Sequence, residues 1–333
     1  MAATARAQNL PVEVANERIQ AALEKVRRRR EARPRPLRDD KIITAWNGLM
    51  ISALAFGAGV EVEALADRQA EYLQAATRAA EFVRRELFEA SRGVLFRSWR
   101  GGRGAAEAFA EDYACLIQGL LDLYEAGFDV GWLQWAERLQ QTMDTLFWDE
   151  QAGGYFNSAA GDANIVLRLK EDYDGAEPAA SSVAAMNLLR LGAVFDGAGA
   201  DENSFRARGR RCVEAFRGRW SATAHALPQM LCALELALES PRHVVIAGDP
   251  GSAGFRRLAR VLREKLGPRR ALLAADGGPG QAWLTERAPW LAAMRPVGGR
   301  ATAYVCEEFA CHAPVTDETE LRALLAAGSG RDG

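Results

Sequence analysis

Acidic residues stand in front of three apolar segments of this sequence. They are Asp39 and Asp40, Glu111 and Asp112, and Asp172 and Asp174. Paired carboxylates suit general acid–base chemistry on glycosides or sugars, because one can donate a proton while the other accepts a proton or attacks. Crowding of like charges also raises the pKa of some members, as such chemistry requires. We therefore take Asp40 and Asp112 as the candidate catalytic residues.

Each acidic pair has a second interpretation, as a cap of the helix that it precedes. The first N–H groups of a helix lack partners and its dipole favours negative charge there, so a cap stabilises a helix by about 1 kcal/mol. For a single pair, the cap is the simpler explanation. Three pairs that meet at one rim would favour a site, so both interpretations stay open.

Side chains close to these pairs are candidates for contact with a substrate. An aromatic ring can stack on a sugar ring, while amide, ammonium and carboxylate groups can bind its hydroxyls. The candidate contacts are Asp39, Trp46, Asn47, Glu111, Tyr113, Lys170, Asp172 and Asp174. The alternative is that the aromatic residues belong to the core and that Ser181 or Ser182 caps the helix after the third acidic stretch.

Helices must position these residues, since apolar side chains recur at helical intervals through the first 240 positions. We predict helices at about 12–31, 41–59, 67–89, 111–127, 131–147, 179–196, 202–219 and 225–239. The acidic start recurs too, because Asp40 and Asp112 are 72 positions apart and Asp112 and Asp172 are 60 apart. A helical hairpin of this length cannot bury its apolar face alone, so successive hairpins must stack.

Stacked hairpins form either an open solenoid or an α/α toroid, in which the first helix of each hairpin lies inside. The helices over 41–59 and 111–127 are more uniformly apolar than 67–89, as inner helices should be. Inner helices run in the same direction, so their N-termini meet at one rim. The sequence thus predicts a mainly α fold, a partial α/α toroid over 1–240, with the acidic pairs around one concavity.

The pattern changes after residue 240, and we expect a small α/β unit over 241–333. We predict strands at 243–248, 271–275 and 302–306 and helices at about 252–266 and 317–327. Strands that alternate with helices favour a parallel sheet. The turn Gly248-Asp249-Pro250-Gly251 lacks the full glycine fingerprint and the lysine of a phosphate loop, so we interpret it as an ordinary strand-to-helix turn.

Composition and charge exclude several classes of function. A net charge of −2 provides no field that would recruit nucleic acid or an anionic membrane. The run Arg27–Arg30, without interleaved aromatic residues, is typical of a solvated helix end. No segment has the pattern of a signal peptide or a membrane span. The five cysteines form an odd and sparse set, which indicates reduced thiols and a cytoplasmic setting.

We expect neither a metal nor a cofactor. Cys306, Cys311 and His312 form a weak candidate cluster, because zinc sites favour closer spacing and a second pair of ligands. His225 and His243 are isolated in the sequence, so we interpret them as structural residues.

Several phrases of the sequence resemble one family. They are Asp39-Asp40-Lys41, Trp46-Asn47-Gly48-Leu49-Met50, Glu111-Asp112-Tyr113-Ala114, Gly153-Gly154-Tyr155-Phe156, Asp174-Gly175-Ala176-Glu177-Pro178, Ala303-Tyr304-Val305-Cys306 and Pro314-Val315-Thr316-Asp317. Over about residues 30 to 325 the chain resembles the C-terminal half of the spermatogenesis-associated, thioredoxin-domain-containing proteins. The phrases are specific, because they occur in the order that this family has.

This resemblance implies a six-hairpin glycosidase-like toroid, similar to the sugar 2-epimerases and glycoside hydrolases of that architecture. By the same comparison the thioredoxin-like domain and the first hairpins fall outside this sequence, so we expect an incomplete ring with an open apolar edge. One expected function is a carbohydrate-active or sugar-binding protein, with glycosidase- or epimerase-like activity if it is an enzyme. The other is a non-catalytic scaffold for a thioredoxin-like redox or quality-control domain, or for a partner chain that completes the ring.

Overall fold

The computed structural model describes residues 2–60, 68–161, 165–197, 201–239, 242–264, 270–307 and 310–327. The chain divides into two compact units, Met1–Lys41 and Ile42–Gly333, and each is described by itself. The first unit contains α1 (Ala2–Ala7) and α2 (Val12–Glu31), followed by an extended stretch. The helix predicted over 12–31 is thus confirmed.

Helical hairpins build the first part of the second unit. Its helices are α3 (Thr44–Gly59), α4 (Gln69–Phe82), α5 (Ala110–Gly127), α6 (Val130–Phe147), α7 (Ala180–Phe195), α8 (Phe205–Ala215), α9 (Arg217–Ala222) and α10 (Pro228–Leu238). The pairs α3–α4, α5–α6 and α7–α8 pack as hairpins, while α3, α5, α7 and α10 pack side by side in one row. This alternation of an inner row with outer helices is a partial α/α toroid, and it confirms the predicted mainly α fold class.

Two glycines set the distance between neighbouring helices of the inner row. A Cβ atom on Gly48 of α3 would lie 2.4 Å from the carbonyl carbon of Cys115 in α5. A Cβ atom on Gly119 of α5 would lie 2.5 Å from the carbonyl oxygen of Gly48. The two helices therefore touch backbone to backbone, which no larger residue at either position would permit.

Short hairpins connect the helices. Strand β2 (Phe88–Glu89) pairs antiparallel with β3 (Val94–Leu95), and Gly93 between them has a φ of 69°. A second bridge of this kind joins Trp148 to Tyr155 around Gly153, which has a φ of 77°. Positive φ favours glycine, so these residues fix where each connection turns.

Several predicted boundaries need correction. The first inner helix begins at Thr44, because β1 (Ile42–Ile43) precedes it and pairs with β4 (Ser98–Trp99). Within the helix predicted over 67–89, the α-helix α4 ends at Phe82. A π-helical turn follows it and extends to Leu87. The helix predicted over 202–219 is interrupted at Phe216 between α8 and α9.

A four-stranded sheet follows the helical hairpins. Its elements are β5 (Arg242–Ala247), α11 (Ala253–Arg263), β6 (Arg270–Ala275), α12 (Pro279–Arg287), β7 (Thr302–Glu307), β8 (Ala310–Cys311) and α13 (Glu318–Ala327). The strand order is β6-β5-β7-β8, with β5 and β6 parallel but β7 antiparallel to both of its neighbours. The predicted parallel sheet is therefore wrong for β7, because the chain reaches it through the unpredicted α12 and enters from the opposite end of β5.

Hydrophobic side chains cover both faces of this sheet. Val245 and Leu273 join the core that the helical hairpins form, whereas Val244 and Leu272 pack with the residues of α11 and α13. One core thus crosses residue 240, and the predicted domain boundary at that position stays a prediction. None of the described helices is long and apolar enough to span a bilayer.

The cysteines depart from the expected set of reduced thiols. Cys306 of β7 and Cys311 of β8 form a disulfide across paired positions of the two strands. Cys115, Cys212 and Cys232 carry free thiols. The prediction of reduced thiols is therefore wrong for the first two, because the hairpin between β7 and β8 brings these residues face to face.

Candidate functional site

Asp112 lies at the point where the N-termini of α3 and α5 meet. One of its oxygens accepts a hydrogen bond from the N–H of Ala45 at 3.0 Å, and the other accepts one from the N–H of Phe109 at 3.0 Å. The guanidinium of Arg97 donates to the second oxygen at 3.1 Å. Asp112 therefore caps two helices at once, its own and the preceding inner helix.

The environment of Asp112 changes its acidity. Burial raises the pKa of this carboxyl to about 6, although the hydrogen bond from Phe109, the charge of Arg97 and the hydrogen bond from Ala45 act in the opposite direction. Desolvation disfavours the charged form, and here it outweighs three favourable partners. The side chain has no exposed surface, so no ligand can reach it in this conformation.

Asp174 repeats this arrangement at the next pair of inner helices. One oxygen accepts a hydrogen bond from the N–H of Ala179 at 2.8 Å, at the start of α7. The other accepts hydrogen bonds from Gln229 at 2.9 Å and Met230 at 3.3 Å, at the start of α10. Asp174 is also buried.

The two buried aspartates show that α3 and α5 share one orientation, and that α7 and α10 do as well. Each carboxylate binds the N-termini of two neighbouring helices, which is possible only if both helices begin at the same edge. We call these two joined pairs of helix starts, together with the loop before α7, the rim, and the prediction that the acidic pairs share one concavity stays a prediction. The roles of Asp112 as a catalytic residue and Asp174 as a substrate contact stay predictions, and in this conformation both carboxylates are enclosed, Asp112 by two backbone N–H groups and Arg97 and Asp174 by three backbone N–H groups.

Other carboxylates of the same rim reach the surface. Partial burial raises the pKa of Glu171, and the negative charges of its neighbours raise it further. Those neighbours, in order of their effect, are Glu111, Asp174, Glu177 and Asp172. The contact that joins two of these regions is the hydrogen bond between Trp46 of α3 and Glu177, so the loop before α7 lies beside the start of α3. Glu171, Asp172 and Glu177 are exposed.

An exposed indole stands beside these carboxylates. Trp46 of α3 is 54% exposed, and its Nε1–H donates a hydrogen bond to Oε1 of Glu177 at 2.7 Å. Arg97 binds Glu111 at 2.5 Å and stacks on the ring of Phe109, with 4.9 Å between the guanidinium carbon and the ring centre. The rim therefore presents an oriented aromatic face next to acceptor oxygens.

Two further candidate contacts, Tyr113 and Asn47, make hydrogen bonds within the protein. The hydroxyl of Tyr113, a core residue, accepts a hydrogen bond from the N–H of Leu95 at 3.1 Å. The amide of Asn47 donates to the carbonyl of Ile43 at 2.8 Å, within its own helix start. Tyr113 is enclosed by the core, as the alternative interpretation of the aromatic residues expects, and its contact with a substrate stays a prediction.

Lys170 holds a turn together. Its ammonium lies 2.6 Å from Asp149 and 2.6 Å from the carbonyl oxygen of Gly153. Although burial opposes it, the hydrogen bond from Lys170, together with the N–H groups of Ala152 and Gln151, lowers the pKa of Asp149 to about 2. In this structure Lys170 holds the turn that follows α6, and its contact with a substrate stays a prediction.

Asp39 and Asp40 belong to the N-terminal unit. Asp39 accepts a hydrogen bond from the N–H of Lys41 at 3.3 Å, and its other oxygen lies 3.3 Å from the ammonium of the same lysine. The N-cap position of α3 is Ile43, and Asp112 takes the N–H of Ala45. The prediction that the aspartate pair starts this helix is therefore wrong, and the rim described above comes from the second unit alone.

The sequence does not identify three members of the rim. Glu177 lies within the polar loop before α7, and Glu171 opens that loop, but a loop carboxylate has no periodicity that would reveal its direction. Arg97 follows Leu95 and Phe96, and no spacing in the sequence marks this single arginine as a member of a site. Among the described residues, no three His, Cys, Asp or Glu side chains gather in a way that would hold a metal ion.

The hairpins, the inner row and the rim define this protein as a partial α/α toroid with an attached sheet. No profile of a known protein family matches the chain. It is, however, similar over nearly its whole length to spermatogenesis-associated protein 20 of Homo sapiens, with 40% identity over 331 residues, 97% of this chain and 41% of the human protein. The Mus musculus protein of the same name is 40% identical over 332 residues, which are 97% of this chain and 40% of that protein.

A more distant relative is the uncharacterized protein B0495.5 of Caenorhabditis elegans, with 33% identity over 305 residues, 89% of this chain and 39% of that protein. The chain thus spans about two fifths of the length of the curated relatives it matches. Among solved structures, the cellobiose 2-epimerase of Spirochaeta thermophila aligns over 56% of this chain and 45% of its own, with 16% identity and a TM-score of 0.41. The cellobiose 2-epimerase of Bacillus thermoamylovorans aligns over 82% and 66%, with 13% identity and a TM-score of 0.42.

Proposed function

We propose that the rim of the inner helices binds a carbohydrate. The observation that carries this proposal is the indole of Trp46, which is half exposed although its N–H is fixed by the carboxylate of Glu177. Sugars are bound by aromatic faces that take their C–H surfaces and by carboxylates that accept bonds from their hydroxyls. The fixed N–H orients the indole before a ligand arrives, which lowers the entropic cost of binding.

A reaction at this rim would use the accessible carboxylates rather than the enclosed ones. Glu171 has a raised pKa, and that makes it the candidate proton donor of a glycosidase- or epimerase-like reaction. Glu177 is the candidate acceptor, because its carboxylate is exposed beside the indole. Asp112 holds the start of α3, which carries Trp46, and Asp174 holds the start of α7, which follows the loop of Glu171 and Glu177, so both position the site without contacting a substrate.

Intrinsic tryptophan fluorescence titrations with cellobiose, mannose and N-acetylglucosamine test the proposal. We expect at least one sugar to bind, with affinity lost at least tenfold in Trp46→Ala and in Glu177→Gln. Trp46→Phe keeps a ring but removes the N–H, so we expect it to retain part of the affinity. A tenfold loss corresponds to about 1.4 kcal/mol.

Calorimetric titration of the same variants reports binding without relying on fluorescence. Glu286→Gln is the matched control, because Glu286 is an exposed glutamate of α12 in the sheet region. Binding that is equal in Glu177→Gln and wild type, or absent for all three sugars in the folded protein, would refute a carbohydrate site at this rim.

The open edge of α3 favours a second candidate function, a scaffold. The chemistry of this edge is apolar, because Thr44–Gly59 contains no charged residue, yet Met50 and Phe56 are 56% and 53% exposed. We propose that a further helical element covers this edge, from a thioredoxin-like domain or from a partner chain that completes the ring. A binding assay tests this proposal. The immobilised protein is the part of the human relative that this chain does not match, and the chain is tested for binding to it. Binding that is lost in Met50→Lys but kept in Glu177→Gln would favour the scaffold over the sugar site.

A further inference from the structure

The disulfide between β7 and β8 lies at the edge of the sheet and has two unequal ends. Cys306 and Cys311 are paired positions of the antiparallel strands. Cys306 points into the core and is only 3% exposed, whereas Cys311 is exposed on the outer strand. The residue at the Cys311 end is therefore the one that solvent reaches.

We propose that this bond is a thiol–disulfide exchange site for a dithiol reductant. A thiolate of the reductant attacks Sγ of Cys311, a mixed disulfide forms, and the sulfur of Cys306 leaves. The second thiol of the reductant then attacks the mixed disulfide and releases Cys311. Two electrons and two protons pass from the dithiol to this protein, which ends with two thiols while the reductant ends as a disulfide. Exposure of the attacked sulfur is the feature that makes a protein disulfide open to exchange.

The strands keep other connections when the bond opens. The N–H of His312 donates to the carbonyl of Val305 at 2.9 Å, beyond the disulfide. Ala303 and Val315 exchange two backbone hydrogen bonds of 2.8 and 3.0 Å. The two cysteines are only 5 positions apart, so the bond closes a small loop and removes little entropy from the unfolded chain. These backbone hydrogen bonds would still join the strands after reduction, as a reversible site requires.

The other cysteines provide internal references for the experiment. Cys232 is exposed and carries a free thiol, so it reports the reactivity of an accessible cysteine. Cys212 is buried, and burial raises the pKa of its thiol to about 12. Because the thiolate is the reactive form, Cys212 stays unmodified in the folded protein.

Differential alkylation tests the proposal on the purified full chain. The protein is incubated without denaturant with a dithiol oxidoreductase of the thioredoxin type, labelled with iodoacetamide, unfolded, and labelled with an isotopically heavy form. We expect Cys232 alone to carry the first label before reduction, and Cys311 to carry it as well afterwards. Cys306 should carry no label before reduction. After reduction it should carry either the light or the heavy label, while the circular dichroism of the backbone stays unchanged.

A trapping experiment tests which sulfur is attacked. An oxidoreductase whose second cysteine is replaced by serine cannot release the mixed disulfide, and peptide mapping should find it on Cys311. The Cys232→Ser variant is the control and should be trapped equally. The proposal is overturned if the bond opens only in denaturant, if the trap joins Cys306, or if all five cysteines are already thiols before any reductant is added.

Discussion

A buried carboxylate can act as a joint between two helices, and this protein does so twice. Asp112 binds the starts of α3 and α5, and Asp174 binds the starts of α7 and α10. In each case a single side chain satisfies N–H groups that a helix start would otherwise leave without partners. The acids that suggest chemistry in the sequence are, at these two positions, the residues that shape the rim.

The raised pKa of Asp112 predicts a change of stability with pH. The folded protein holds the proton up to a pH of about 6, whereas the unfolded chain releases it near 3.8. The folded state thus binds more protons in this window, so the contribution of Asp112 to the free energy of unfolding falls as the pH rises from 4 to 6. The fall is on the order of 3 kcal/mol for a shift of about two units.

Urea unfolding of Asp112→Asn between pH 4 and 6.5 measures this contribution. Asparagine cannot ionise, so the advantage of wild type over the variant should be largest near pH 4 and shrink toward pH 6.5. Asp172→Asn is the control, since Asp172 is exposed and its ion pair with Arg219 is solvated. A difference between wild type and Asp112→Asn that does not vary with pH would contradict the raised pKa.

At the scale of the element, the contact between α3 and α5 depends on two glycines. Gly48→Ala should destabilise the protein by about 1–3 kcal/mol or more, because the new methyl group would overlap the backbone of Cys115, which cannot move aside. Gly57→Ala is the matched control on the same helix. Its methyl group would meet the Tyr72 ring at 3.2 Å, and a side chain can shift.

The two variants are compared by the urea concentration at which half of the protein is unfolded. This comparison holds when the free energy of unfolding has the same dependence on urea in both. We expect Gly57→Ala to stay within about 1 kcal/mol of wild type, since alanine also favours the helix. If Gly48→Ala were as stable as Gly57→Ala, the close approach of α3 and α5 would be wrong.

Helix periodicity predicts the elements of the inner row well, and the site less well. The helices predicted at 111–127, 131–147 and 179–196 are observed as Ala110–Gly127, Val130–Phe147 and Ala180–Phe195. Burial of one face imposes a repeat on the sequence, so such elements can be read from it. The start of α3 could not be read, because its cap comes from Asp112, 67 positions away from Ala45.

The members of the rim show the same limit. Whether a carboxylate is enclosed, as Asp174 is, or exposed, as Glu177 is, depends on how the loop before α7 folds. Both residues lie in one polar stretch, and local sequence does not separate their roles. Local sequence does not give the direction of β7 either, because the path of the preceding chain sets it.

At the scale of the whole molecule, the inner row is covered unevenly. The helices α5 and α7 each have a row neighbour on both sides, whereas α3 packs against α5 on one side and its other side is exposed. An apolar helix without charges is normally buried all round. We therefore predict that the isolated chain associates with itself through this edge at high concentration.

Sedimentation equilibrium over a range of concentrations measures that association. The double variant Met50→Lys, Phe56→Lys should remain monomeric at concentrations where wild type does not, because it places charges on the exposed apolar side of α3. Leu238→Lys is the control, since Leu238 of α10 is 77% exposed but lies on a different helix of the row. Equal association of the double variant and wild type would show that the edge of α3 is not the contact.

The measurement that tests the proposed function most directly is a crystal structure of the chain at a saturating concentration of whichever of the three sugars binds most tightly in the titrations. We predict that one sugar ring lies on the exposed face of the Trp46 indole, with a hydroxyl within hydrogen-bond distance of Glu177. A rim without bound sugar, or a sugar bound only at another surface, would contradict the assignment of this rim as a carbohydrate site.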